Sequence, residues 1–272
     1  VLADLGLIDR RELSTVPSKV VNSLSNPKGR QLFRILNRFF ATEPMLSLDP
    51  GGGGRRLWTS LKLLGEMWAM GWIDELSRRG LSLTELSGIG ELTFHQTGHR
   101  TEQLTACNLL TESVARGRRK RYQLSNETRQ GMLLIAGIAR WRQRHTLSAG
   151  ARGLSVGEMA TVLRSCLPLI ALPDHPGMGF KLGVVEAEKG KRELETLMGH
   201  VSGNGAISCV QDKPQPDSWA IGTVNAWFAA LLEGERGRMR VGGNLDLVDS
   251  CLQRLFGLSR LHRRRPAIAT LG

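Results

Sequence analysis

The stretch from Leu109 to His145 constrains this chain most. A short apolar strand leads into the basic run Arg116-Gly-Arg-Arg-Lys-Arg121, the strand Tyr122-Gln-Leu124 returns, and a helix ending Trp141-Arg-Gln-Arg-His145 closes the segment. A charged hairpin between two strands, set beside a helix able to enter a groove, is a way of holding nucleic acid rather than of doing chemistry. Its cations Arg116, Arg118, Arg119, Lys120 and Arg121 alternate about the turn, so several can meet phosphates or the minor groove together. The plainer alternative is a solvated charged loop.

Charge follows the same division. Residues 1–147 hold 22 Lys/Arg against 13 Asp/Glu, residues 148–258 hold 11 against 12, and the segment from Ser259 onward adds four Arg, within a total net charge of +12. The basic half asks for a polyanionic partner, and the near-neutral half for a different task. No apolar run approaches the ~20 residues of a membrane span, and Val1-Leu-Ala-Asp4 does not read as a secretion leader, so the expectation is a cytoplasmic, multi-domain protein without a membrane partner. Cys107, Cys166, Cys209 and Cys251 are too scattered for a zinc ribbon or disulfide framework. His95 and His99 lie four apart without a third ligand nearby, so neither a metal nor another cofactor is expected.

Upstream of the hairpin, Leu61, Leu64, Trp68, Trp72 and Leu76 form an apolar stripe at helical spacing over 57–79, read as two helices or one bent near Gly65. Ser82 and Glu85 have the spacing of a capping box, a turn is expected at Ile89-Gly-Glu91, and the next helix over 92–108. Downstream of the hairpin, Asn126 is expected to cap the last helix.

These residues resemble the HxlR-type winged helix-turn-helix transcription regulators of bacteria. Leu63-Leu-Gly-Glu-Met-Trp68 looks like that family's opening helix, Leu83-Thr-Glu-Leu86 like its second, and Tyr122-Gln-Leu-Ser125 with Trp141-Arg-Gln-Arg-His145 like its closing pattern. The resemblance implies a winged helix over 57–147 whose helix 92–108 lies in the major groove, offering Thr93, His95, Gln96, His99 and Arg100 to bases and phosphates. Thr97 and Thr101 stand where the family has Leu, and Gly98 interrupts the helix. A second, partial copy is legible at the start. Leu5-Gly-Leu-Ile-Asp-Arg-Arg11, Lys19-Val-Val-Asn-Ser-Leu-Ser-Asn26 and the helix 29–40 repeat the order of 108–141, with Leu-Ser-Asn at both 24–26 and 124–126. Residues 1–48 then read as the C-terminal half of a first winged helix with a weaker wing of Arg10, Arg11 and Lys19, and 49–56, rich in glycine, as a linker. Such a half leaves an apolar face uncovered, so upstream sequence is missing, a partner covers the face, or the face has been discarded.

Residues 154–258 change character. A helical face from Met159 to Ile170 gives way to strand-like pieces at 180–187, 194–201 and 206–211, then a helix expected over 219–232, a stop at Gly234, a strand at 238–241 and a last helix from 242. Trp227-Phe-Ala-Ala-Leu-Leu-Glu-Gly234 with Val241-Gly-Gly-Asn-Leu-Asp246 resembles the end of sterol carrier protein-like domains. The resemblance implies an α+β domain with Trp219, Trp227, Phe228 and Met239 lining a cavity for a small apolar molecule; at helical spacing the same side chains also make ordinary core. Residues 259–272 form a basic tail. Asp74 and Glu75 read as surface charge, and Cys107 as a candidate oxidant sensor.

The expected fold class is thus mainly α with α+β: one half and one full winged helix plus a C-terminal α+β domain. The expected function is a bacterial DNA-binding regulator. Its partners would be double-stranded DNA, a small apolar effector and a second copy of the chain. Two alternatives remain at this point: a winged-helix scaffold repurposed as a small-molecule binder or biosynthetic enzyme without DNA binding, and a protein-interaction module using the uncovered half domain.

Overall fold

The computed structural model describes residues 62–114, 120–145, 153–186, 194–210 and 216–260, together with the backbone of 9–12 and 20–23. The helix 29–40, the linker 49–56, Lys19 and the tail beyond Arg260 lie outside the described residues. At the start of the chain, β1 (Asp9–Glu12) pairs antiparallel with β2 (Val20–Ser23), Arg10 opposite Asn22 and Arg11 opposite Val21.

Helix α1 (62–69) buries Leu63, Leu64 and Met67. The chain breaks at Gly71, whose φ of 71° is left-handed, and not at Gly65, which is exposed within α1. Helix α2 (Trp72–Arg78) buries Trp72, Ile73 and Leu76, and the Trp72 indole donates to Leu86 O at 3.1 Å. Helix α3 (Leu83–Gly90) opens on the expected capping box: Ser82 Oγ accepts from Glu85 N, and Glu85 accepts from Ser82 N at 2.8 Å. It runs through the expected turn to Gly90, where a Cβ would stand 2.7 Å from the Trp72 indole. Glu91 then ends the helix in a left-handed conformation.

The cap yields two expectations. Ser82→Ala should lower stability by about 1 kcal/mol, measured by denaturant unfolding. Glu85 is held at a pKa of about 2 by the Ser82 amide, the Arg79 guanidinium and the Ser82 hydroxyl. A depressed carboxylate contributes stability that is complete above its ordinary pKa of 4.5 and lost as pH falls toward about 2. The melting difference between the native protein and Glu85→Gln should therefore shrink across that window; a constant difference would contradict the cap.

Helix α4 (Phe94–Ala106) carries a second capping box, Thr93 with Gln96. Gly98 does not interrupt it. Thr97 and Thr101 are buried where an apolar residue is expected, and their hydroxyls donate to Thr93 O and Thr97 O, each at 2.9 Å, so neither is left unsatisfied. After a left-handed Asn108, β3 (Leu110–Val114) pairs antiparallel with β4 (Lys120–Leu124), and Leu81 exchanges both backbone hydrogen bonds with Tyr122 on the other edge of β4. Helix α5 (Asn126–His145) follows. Ser125, and not Asn126, is its cap: Ser125 Oγ accepts from Thr128 N at 3.1 Å.

Helix α6 (Val156–Cys166), capped by Ser155 and Glu158, is the central element. It packs against α2 and α5 on one side and against the large sheet on the other, so every residue from Met159 to Cys166 is buried. A 3-10 turn (Leu167–Leu169) leads on to β5 (Gly179–Val185), β6 (Leu194–Val201) and β7 (Ile207–Val210). The helix expected over 219–232 is in fact a strand followed by a shorter helix. β8 (Ser218–Thr223) pairs in parallel with β5, with Ser218, Ala220 and Gly222 buried in strand alternation. Thr223 then caps α7 (Val224–Phe228), which continues as a π-helical turn (Ala229–Glu233) to a left-handed Gly234. β9 (Arg240–Gly243) and α8 (Leu245–Arg260) complete the described chain. The sheet order is β7-β6-β5-β8-β9, with antiparallel pairing except between β5 and β8. The result is a mixed α/β architecture compatible with the α+β class. Among the described residues no helix is long and apolar enough to cross a membrane.

Candidate nucleic-acid interface

The first turns of α4 project from the body of the protein. Thr93, His95, Gln96 and His99 are exposed, and Phe94 is 61% exposed. Gln96 Oε1 is engaged by Thr93, which leaves its amide nitrogen as the outward donor. Arg100 is half-buried: it pairs with Glu66 at 2.9 Å and donates to Gln103 at 3.3 Å. His99 meets Gln103 at 3.1 Å, and a shallow groove of about 360 Å³ runs between Leu92, Gln96, His99, Arg100 and Gln103. The structure thus gathers the five expected residues at one end of α4: Thr93 and Gln96 are joined in the cap, His99 meets Gln103, Arg100 is tethered to α1, and His95 is exposed.

In the hairpin, Arg116, Arg118 and Arg119 lie outside the described residues. Lys120 is exposed and pairs with Glu112 across the two strands at 2.9 Å. Arg121, expected on phosphate, turns inward instead and donates to Gly80 O at 2.7 Å, fastening β4 to the turn before α3. Of the weaker first wing, Arg10 and Arg11 lie on β1 and Lys19 is outside the described residues.

Of the four residues expected to line an apolar cavity, three meet in the packed core and Trp219 stands apart. Trp227 and Phe228 are fully buried core, and the Trp227 indole donates to Gly183 O at 2.9 Å. Met239 packs against that core beside Gly222, whereas Trp219 is half-buried and stands apart from it. Helical spacing grouped them only because β8 was read as helix. No family model, curated protein or solved structure matches the chain. Among the described residues no group of three His, Cys, Asp or Glu could hold a metal ion. The four cysteines are free, and burial raises the thiol pKa of Cys166 and Cys251 to about 12.

Two features escaped the sequence. Phe94 lies on the same face of α4 as the buried Thr97, Thr101 and Leu104, yet at the first helical position it is exposed. Asp74 is not surface charge. It accepts from Thr161 Oγ1, from Arg164 Nη1 at 2.8 Å and from Arg78 Nη2 at 3.2 Å, joining α2 to α6. A second clamp joins α5 to α7, where Arg140 lies 5.5 Å from the centre of the Phe228 ring and donates to Asn225 at 2.8 Å, and Arg144 pairs with Glu233.

Proposed function

We propose that the protein is a bacterial DNA-binding transcription regulator of the tandem HxlR-like, winged helix-turn-helix type. In this reading α4 enters the major groove, the hairpin between β3 and β4 lies along the phosphates, and residues 154–258 bind a small apolar ligand or a second copy of the chain. The observation that carries the reading is the exposed end of α4, where Phe94, His95, Gln96 and His99 stand together; in the sequence the basic run 116–121 follows α4 after a single strand. With its oxygen held in the Thr93 cap, Gln96 can donate its amide nitrogen to a base or phosphate acceptor, and His95 and His99 can reach guanine or phosphate. Because α6 touches both α2 and the sheet, a ligand that favours one packing of α6 could shift DNA affinity.

The test is binding to random duplex DNA and to the region upstream of the protein's own gene at two salt concentrations. It is run beside a variant carrying Arg116→Ala, Arg118→Ala and Arg119→Ala. This variant spares Arg121, which holds the hairpin in place. Each lost phosphate contact should flatten the salt dependence by ~0.9 in the slope of log affinity against log salt, so a fall of about two to three is expected. Absence of duplex binding by the folded protein at low salt, or an unchanged slope in the variant, would overturn the reading.

A further inference from the structure

The five-stranded sheet has a second face. Phe180, Leu182, Val184 and Ala220 enter the core, and between them along the strands come Lys181, Trp219 and Ile221; on β6, Met198 and His200 alternate in the same way with Leu197 and Val201. These intervening residues are half-buried, and Met198, Trp219 and Ile221 are not packed against the core cluster. Strand alternation therefore places them on the side away from α6, α7 and α8. Register aligns them in a row across the sheet, Met198 opposite Lys181, Lys181 opposite Trp219 and Trp219 opposite Gly242. A Cβ on Gly242 would lie 2.6 Å from the Trp219 ring, so the indole lies across β9. Ile221 covers Gly183 in the same manner, and exposed Arg240 sits opposite Ile221. Lys181, His200 and Arg240 occupy this face; its one carboxylate among the described residues near the strands is Asp217, at the rim before β8, where it accepts from Gly179 N at 2.7 Å.

We propose that this face binds a single strand of nucleic acid, with a base stacked on Trp219 and phosphates held by Lys181 and Arg240. An aromatic ring laid on a sheet offers a flat surface to any base, and cations beside it follow the backbone. A duplex keeps its base faces stacked inside and cannot use such a platform. A second copy of the chain would bring two sets of Lys181 and Arg240 together, and that repulsion disfavours self-association here. The site lies on the sheet, separate from α4 and the β3–β4 hairpin, so it stands or falls independently of the duplex reading.

The experiment is fluorescence anisotropy of labelled oligothymidylate, oligouridylate and random duplex with the full chain, comparing Trp219→Ala, Trp219→Phe and the pair Lys181→Glu with Arg240→Glu. The native protein should bind at least one of the single strands in a salt-sensitive manner. Trp219→Ala should weaken that binding about tenfold or more, Trp219→Phe should retain most of it, and the charge-reversed pair should remove it. Duplex binding should be unaffected by all three. The triple Arg variant of the hairpin should leave single-strand binding intact. Should Trp219→Ala fail to fold, the charge-reversed pair, whose side chains lie outside the core, decides the matter. The proposal is overturned if neither single strand binds at low salt, if binding survives charge reversal, or if the native protein forms a dimer that Trp219→Ala dissolves.

Discussion

Trp227→Ala is expected to destabilise the protein by about 4 kcal/mol, near the middle of the range for truncating a fully buried large aromatic. Trp227 has no exposed surface, sits on α7 within the core between the sheet, α6 and α8, and donates its indole N–H to Gly183 O at 2.9 Å. Truncation removes the apolar contact, leaves a cavity that the flanking strands cannot close, and withdraws a hydrogen bond from a buried carbonyl. The melting temperature should fall by about 10 °C for a domain of this size. Trp227→Phe keeps most of the volume and should cost about 1–2 kcal/mol, chiefly the lost hydrogen bond. A loss below 1 kcal/mol in Trp227→Ala would mean that the residue lines open space, as an apolar ligand cavity would require. Near-neutrality there would therefore favour the cavity read from the sequence over the packed core seen in the structure.

What was legible in the sequence is what neighbouring residues decide among themselves. The Ser82 and Glu85 cap, the run of strand, basic hairpin, strand and helix after Leu109, and the stop at Gly234 all rest on spacings of a few residues, and each has a local physical cause. The misreadings share the opposite property. β8 looked helical because Trp219 was grouped with Trp227 and Phe228 at helical spacing, yet residues 218–223 gain more by pairing with β5, a strand far back in the chain. Arg121 looked free because Gly80 O, its partner, lies across the module. Thr97 and Thr101 looked like a weakened helix because their hydroxyl bonds to the preceding turn are invisible to hydropathy. The candidate interface was thus legible as a set of residues on one helix and one hairpin. That Arg100, Lys120 and Arg121 are already engaged became clear only from the fold.

Asp74 carries the second large effect, and it does so because of where its partners come from. Its carboxylate lies on α2, while Thr161 and Arg164 belong to α6, and Arg164 has only 7% of its side chain exposed. Burial alone would raise the carboxyl pKa. The Thr161 hydrogen bond and the guanidinium groups of Arg78 and Arg164 outweigh it and hold the group below its ordinary value of 3.8. Asp74→Ala strands the Arg164 guanidinium in a buried position with Ser77 Oγ, 3.4 Å away, as its remaining side-chain hydrogen-bond partner among the described residues. Removing one partner of a fully buried pair costs 3–5 kcal/mol, and with Asp74 38% exposed water screens part of the loss, so about 2–3 kcal/mol is expected. Arg164→Met in the same background should recover part of it, since the stranded charge is then gone. Acid supplies an independent check: a depressed carboxylate contributes fully above pH 3.8 and loses its contribution as pH falls through the lower folded-state value. The stability difference between the native protein and Asp74→Asn should accordingly be constant at neutral pH and collapse in that acid range. If it holds constant down through acid pH, the bond between α2 and α6 is not carried by this charge, and the route by which the sheet could influence α4 must run instead through α5 and its Arg140 and Arg144 clamp on α7.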